Sequence, residues 1–225
     1  MENRIIGFFG VDKYDIILYL SRIIYQLNQK VLLLDGSENK ALTYSVPMPS
    51  NILYEENESF IVTYRGVDFA YNAPMTREQL VEYQEEYDVI LIDFGFEKHK
   101  LLHNCTHVVF VIDQKLHNLL RVKDISVPKE CKKFLIFYVI YGCKISLYYA
   151  MDEIFLEIPK GHIFEVSQES VDLKHSIDCQ YNDVIRFHKL TKPYQKLLHS
   201  IVASLYPEYN AKEKTKAFQK AKCGR

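Results

Sequence analysis

Residues 4–13 read RIIGFFGVDK, an apolar run that enters two glycines and a lysine, with Gly7, Gly10 and Lys13 spaced G-x-x-G-x-x-K. A helical pattern follows over 13–29, with Ile16, Ile17, Leu20, Ile23, Ile24 and Leu27 on one stripe. A second apolar run then ends in an acid, KVLLLD at 30–35. A strand handed by a glycine turn to a helix N-terminus is the layout of a phosphate-binding loop, in which free N–H groups face an anion. The loop is damaged, however. A working loop has Gly before its lysine and Ser or Thr after it; this chain has Asp12 and Tyr14.

Each departure has a physical consequence. Gly before the lysine lets backbone approach phosphate closely. Asp12 adds a Cβ and a negative charge there, a repulsion on the order of several kcal/mol at a few ångströms. The hydroxyl that ligates Mg²⁺ is short and sits on the first helical turn, and the phenol of Tyr14 reaches too far out to replace it. Lys13 is left without its helpers and can pair internally with Asp12, Asp35 or Asp93.

The rest of the chain alternates strand and helix. Unbroken apolar runs at 31–34, 89–93, 108–112 and 133–139 are strands of the kind buried on both faces of a parallel sheet. Residues 60–64 and 67–71 read as a hairpin around Arg65-Gly66, and 155–158 as a further strand. Residues 36–58 are polar, with Pro47 and Pro49, and read as loop with one helical turn at 40–45. Thr76 to Gln79 has capping-box spacing for a helix to about Glu86. Further helices are expected at 116–122 and from Leu190 to Leu205; 145–154 is ambiguous. The expected fold is α/β, a mostly parallel sheet with helices on both faces. One domain spans 1–207, and 208–225 forms a basic, flexible tail.

Three features occur in order: G-x-x-G-x-x-K, then VLLLD, then YDVILIDFG at 87–95. Together they resemble the ParA/MinD family of P-loop ATPases, over most of the chain to about residue 205. The resemblance places Lys13 on the loop lysine, Gly7 and Gly10 on flanking glycines, Asp35 on the switch I acid and Asp93 on the Walker B acid. Phe8 falls where that family has a signature lysine that reaches across a dimer to the partner's ATP. Asp35 and Asp93 sit at strand C-termini, where open α/β sheets bind ligands, although Asp is also a common N-cap at such positions. A degenerate loop on a preserved fold most resembles the TadZ/CpaE branch, which localises the assembly of Flp-type pili or related secretion machinery. Many proteins of that branch carry an N-terminal receiver-like domain, whereas this sequence begins directly at strand one.

Other constellations carry less. His99 and His103 have metal-ligand spacing without a third ligand, and the five cysteines form no C-x-x-C pair. No run reaches the ~18 apolar residues of a membrane span, and MENRIIGFFG is too short an apolar stretch for a signal peptide, so a cytoplasmic protein with reduced thiols is expected. Lys+Arg 28 against Asp+Glu 29 selects neither nucleic acid nor an acidic membrane as partner. The tail from 212 carries six Lys/Arg and one Glu, with Phe218 its one bulky apolar residue, which makes any membrane contact weak and peripheral. Tyr138, Tyr141, Tyr148 and Tyr149 are candidates for a protein interface.

The expectation is a non-catalytic or nearly inactive ParA/MinD-like adaptor with no cofactor. It would act through protein partners such as pilus or secretion components, as a homodimer, recruited to the inner membrane face or a cell pole. The competing reading is a ParA/MinD-type ATPase whose weak binding of ATP and Mg²⁺ drives dimerisation for DNA or cargo partitioning.

Overall fold

A computed structural model describes residues 3–47, 59–154, 157–182 and 184–223. Among these residues, eight strands form one sheet: β1 (Arg4–Gly10), β2 (Val31–Asp35), β3 (Phe60–Tyr64), β4 (Val67–Tyr71), β5 (Val89–Asp93), β6 (His107–Ile112), β7 (Lys132–Val139) and β8 (Ile163–Ser167). Their order is β3-β4-β2-β5-β1-β6-β7-β8, parallel throughout except for the β3–β4 hairpin. Central strands β1, β5 and β6 are buried along almost their whole length, because helices cover both sides. The expected parallel arrangement of the strands at 4–9, 31–34, 89–93, 108–112 and 133–139 is the one observed.

Among the described residues, seven α-helices complete the fold: α1 (Tyr14–Tyr25), α2 (Arg77–Glu86), α3 (Leu116–Lys123), α4 (Leu147–Ile154), α5 (Ser170–Tyr181), α6 (Lys192–Leu205) and α7 (Ala211–Lys222). The sheet separates two cores. One holds α1, α6 and α7, with Ile17, Ile24, Leu198, Ile201 and Phe218 among its buried side chains. The other, on the opposite face, holds α2, α3 and α4 through Leu80, Leu119, Val122 and Ala150. Thr76 caps α2 by accepting the Gln79 N–H, as its spacing predicts. The expected turn within 40–45 is the 3-10 turn Thr43–Ser45.

Two expectations need correction, and one helix was not foreseen. Of the strand expected at 155–158, residues 155 and 156 lie outside the described residues, while 157 and 158 are not strand; the last strand is β8, further on. Residues 170–181, which carried no expectation, form α5. The segment from 208, expected to be a flexible tail, instead contains α7. Asn210 accepts from Glu213 N at 3.0 Å and Glu213 accepts from Asn210 N at 2.9 Å, a closed capping box. Ala217, Phe218 and Ala221 are buried, with the Phe218 ring edge-on to Phe187 at 6.1 Å. No helix among the described residues is long and apolar enough to cross a membrane.

This docking has a measurable consequence. Phe218→Ala should lower unfolding free energy by about 3–5 kcal/mol, the range for truncating a buried Phe, read as a fall in the urea midpoint; a flexible tail would leave the midpoint unchanged.

Candidate functional site

Strand β1 continues through Gly10, so only residues 11–13 join it to α1. Residues 7–9 are therefore sheet rather than loop. Gly7 pairs with Ile92 and Val108, and a Cβ there would meet the Phe94 ring at 2.8 Å, so this glycine serves packing. Phe8 and Phe9 are fully buried on opposite faces, Phe9 stacked on Phe94 at 4.9 Å. Gly10 is the conformational pivot. Its φ is +114°, and a Cβ would sit 1.8 Å from the Val111 carbonyl oxygen, a position only glycine occupies. Two amides at the end of β1 are already committed: Gly10 N donates to Gly95 O at 2.7 Å and Val11 N to Val111 O at 2.9 Å.

Lys13 occupies the N-cap position of α1 with its side chain 3% exposed. Of its three possible acid partners it pairs with Asp93, Nζ to Oδ1 at 2.7 Å, and it also donates to Gly10 O at 3.2 Å. The same Asp93 oxygen accepts Gly95 N at 2.8 Å. Asp12 is exposed and lies 3.5 Å from the Asn39 amide. Asp35 is held within its own loop: one oxygen accepts from the backbone N–H and hydroxyl of Ser37, the other from Thr43 N at 2.8 Å and Thr43 Oγ1 at 2.9 Å. Tyr14 extends to α5, where its hydroxyl meets Ser176; burial pushes its phenol up.

Above these residues opens a cleft of about 650 Å³ at the C-terminal ends of the strands. Gly10, Asp12, Lys13, Tyr14 and Asp93 line it; Gly7 and Asp35 do not. Its walls include groups that carried no expectation. Asp113 accepts from Lys115 N and Asn118 Nδ2 and pairs with Lys115 Nζ at 3.3 Å. Arg121 lies 3.9 Å from Glu38 and stacks over Phe96. Asp172 of α5 accepts Thr191 N at 2.8 Å and Thr191 Oγ1 at 2.6 Å, fixing the start of α6. At the base, Tyr194 donates to Asp15 at 2.7 Å. Burial pushes Asp15 up to about 6, against the lowering effect of that hydrogen bond, and pushes Tyr138 and Tyr194 well above the usual phenol range. Asp15 sits two residues after Lys13, yet nothing in its spacing marks it as part of a site. The histidines lead elsewhere: His99 accepts Leu101 N and stacks on Phe94, and no group of three metal-ligating side chains converges among the described residues.

This geometry suits an anion poorly. A phosphate entering at α1 would have to displace Lys13 from Asp93, pass Asp12, and find two amides already bonded. No family model and no curated protein matches this chain. Solved structures do match. The chain is similar to a MinC:MinD cell division complex of Aquifex aeolicus, with TM-score 0.67, 14% identity, and 92% of this chain and 97% of that one covered. It is also similar to Aquifex aeolicus MinD (TM-score 0.63, 16% identity, 92% and 98% covered) and to pNOB8 ParA bound to nonspecific DNA (TM-score 0.56, 14% identity, 92% and 100% covered). The fold is thus that of the ParA/MinD P-loop NTPases.

Two outcomes follow for the site. Lys13→Met leaves Asp93 buried without its cation and should cost about 3–5 kcal/mol of folding stability, with much of the loss recovered in Lys13→Met/Asp93→Leu. A lysine that merely awaits phosphate would give a near-silent single variant in urea titrations. Asp15, raised in the folded protein, contributes stability that is complete below its unfolded value near 3.8 and is lost as pH rises through about 6. The urea midpoint of wild type relative to Asp15→Asn should therefore fall between pH 4 and 6 and level off above; a constant difference over that window would contradict it.

Proposed function

We propose that this chain is a ParA/MinD-like protein without a working nucleotide cycle, acting as a TadZ-like localisation or assembly adaptor for pilus or secretion machinery. The observation that carries the reading is the closed Lys13–Asp93 pair at the head of α1, flanked by Asp12 where phosphate would lie and by Tyr14 where a metal-ligating hydroxyl would stand. No resident cofactor is needed for such a role, and binding would be to protein. Exposed apolar side chains support this, with Leu173 and Ile177 lining the cleft. Leu116 and Leu120 are exposed on α3, Val171, Leu173 and Ile177 on α5, and Tyr148 and Tyr149 on α4, and Tyr141 is fully exposed. Of the four candidate interface tyrosines only Tyr138 is buried. Large exposed apolar groups are the composition of a protein interface.

A second reading is favoured by the cleft itself, which leaves about 650 Å³ open beside the loop. In it the chain is a weak ParA/MinD-type ATPase, with residual ATP and Mg²⁺ binding that drives a homodimer for DNA or cargo partitioning. A MinC:MinD complex and a DNA-bound ParA both exist on this fold, so protein and DNA partners are each compatible with it. Recruitment to the inner membrane face or a pole would belong to the adaptor reading.

Isothermal titration with Mg-ATP separates the two. The adaptor reading expects no binding tighter than about millimolar, that is, weaker than roughly 4 kcal/mol. A micromolar dissociation constant would overturn it in favour of the ATPase.

A further inference from the structure

The near-zero net charge of the chain conceals a division. Residues 186–225 carry 10 Lys and Arg against 2 Glu, leaving 18 against 27 Asp and Glu over residues 1–185. With α7 folded onto the body, this is a surface rather than a tail. Lys212, Lys216 and Lys220 lie at i, i+4 and i+8 on α7, all exposed. They form a stripe about 12 Å long, and none of the three has an ion-pair partner among the described residues. Exposed Lys192 and Lys196 of α6 lie on the helix packed beside it.

The opposite charge is arranged the same way on α2. Glu78, Glu82 and Glu85 are exposed at i, i+4 and i+7, a stripe of about 10 Å. Glu86 and Asp88 extend the acidic patch, with Glu86 3.8 Å from Lys30. Helices α7 and α2 belong to the two cores on opposite faces of the sheet.

We propose that the lysine stripe of α7 docks on the glutamate stripe of α2 in a second copy of this chain, building a head-to-tail row of protomers. The two stripes match in number, are similar in length and oppose in sign. Because they lie on opposite sides of one molecule, the contact is heterologous: a protomer bound through α7 still presents α2, so the row extends instead of closing as a two-fold dimer. Single exposed ion pairs contribute little; several aligned together act mainly at low salt. The inference rests on charge placement and does not depend on whether the cleft binds nucleotide.

Sedimentation velocity at ionic strengths of about 0.01 M and about 1 M, where the Debye length is ~30 Å and ~3 Å, tests it. Wild type should gain mass with concentration at low salt and be monomeric at high salt. Lys212→Glu/Lys216→Glu/Lys220→Glu and Glu78→Lys/Glu82→Lys/Glu85→Lys should each be monomeric at low salt with unchanged circular dichroism. An equimolar mixture of the two variants should associate again, since each then offers the stripe the other lacks; this recovery also shows that neither variant is misfolded. A wild type that stays monomeric at low salt, association untouched by either reversal, or a mixture that fails to associate would overturn the proposal. So would a monomer whose lysine stripe binds duplex DNA or anionic vesicles without self-association.

Discussion

The centre of this structure is the point where β1 leaves the sheet. Strand β1 lies between β5 and β6, and Gly10 passes so close to the Val111 carbonyl that no side chain fits. Holding β1 in register through Gly10 removes residues 7–10 from any loop and delivers Lys13 directly to the head of α1. A buried ammonium without a partner is costly, and Asp93 at the end of β5 is the acid within reach. The three-residue connection and the buried ion pair are therefore two sides of one arrangement. The Lys13–Asp93 pair thereby ties the head of α1 to the C-terminal end of β5.

The parts of the fold legible in the sequence were those where one force dominates. Continuous apolar runs mark strands covered on both faces, and β1, β2, β5, β6 and β7 lie where such runs occur. Helix α1 shows a single apolar stripe, and so does α6. Helix α5 escaped because its polarity is inverted. Asp172, His175 and Ser176 face inward, while Val171, Leu173, Ile177 and Tyr181 face out, so no amphipathic pattern points to a core. Helix α7 escaped for a different reason: its buried face is built from Ala217, Ala221 and Lys214 around Phe218, with the Lys214 ammonium donating to Tyr206 O at 3.2 Å, and small or charged groups are overlooked by a count of bulky residues. The N-x-x-E box at 210–213 was the available signal for it.

At the site, the residue types were readable and their depth was not. A G-x-x-G pattern has the same spelling in a strand that needs close packing as in a loop that needs positive φ. Gly7 proves to be the first, while Gly10 combines the two, the last residue of the strand with a positive φ. Asp35 and Asp93 both end strands, and in the sheet they are register partners. Their surroundings divide them: Asp93 faces the lysine, while Asp35 is saturated by Ser37 and Thr43. Asp15, Tyr138 and Tyr194 come from α1, β7 and α6, and only the folded chain brings them together at the base of the cleft.

The inverted helix also explains why the cleft has unequal walls. On one side are the ends of β1, β5 and β6, locked by ladder hydrogen bonds and two apolar cores. On the other is α5, whose attachments are largely polar: Asp172 to Thr191, His175 to the Arg186 carbonyl, and Gln180 to Ser45. Those bonds are individually modest, and the apolar area that usually anchors a helix faces solvent here. Local opening free energy follows buried apolar contact, so α5 is held more weakly than the strands opposite it. A partner covering Val171, Leu173 and Ile177 would supply the burial α5 lacks within its own chain, and in doing so would fix the one cleft wall that the fold leaves loosely held.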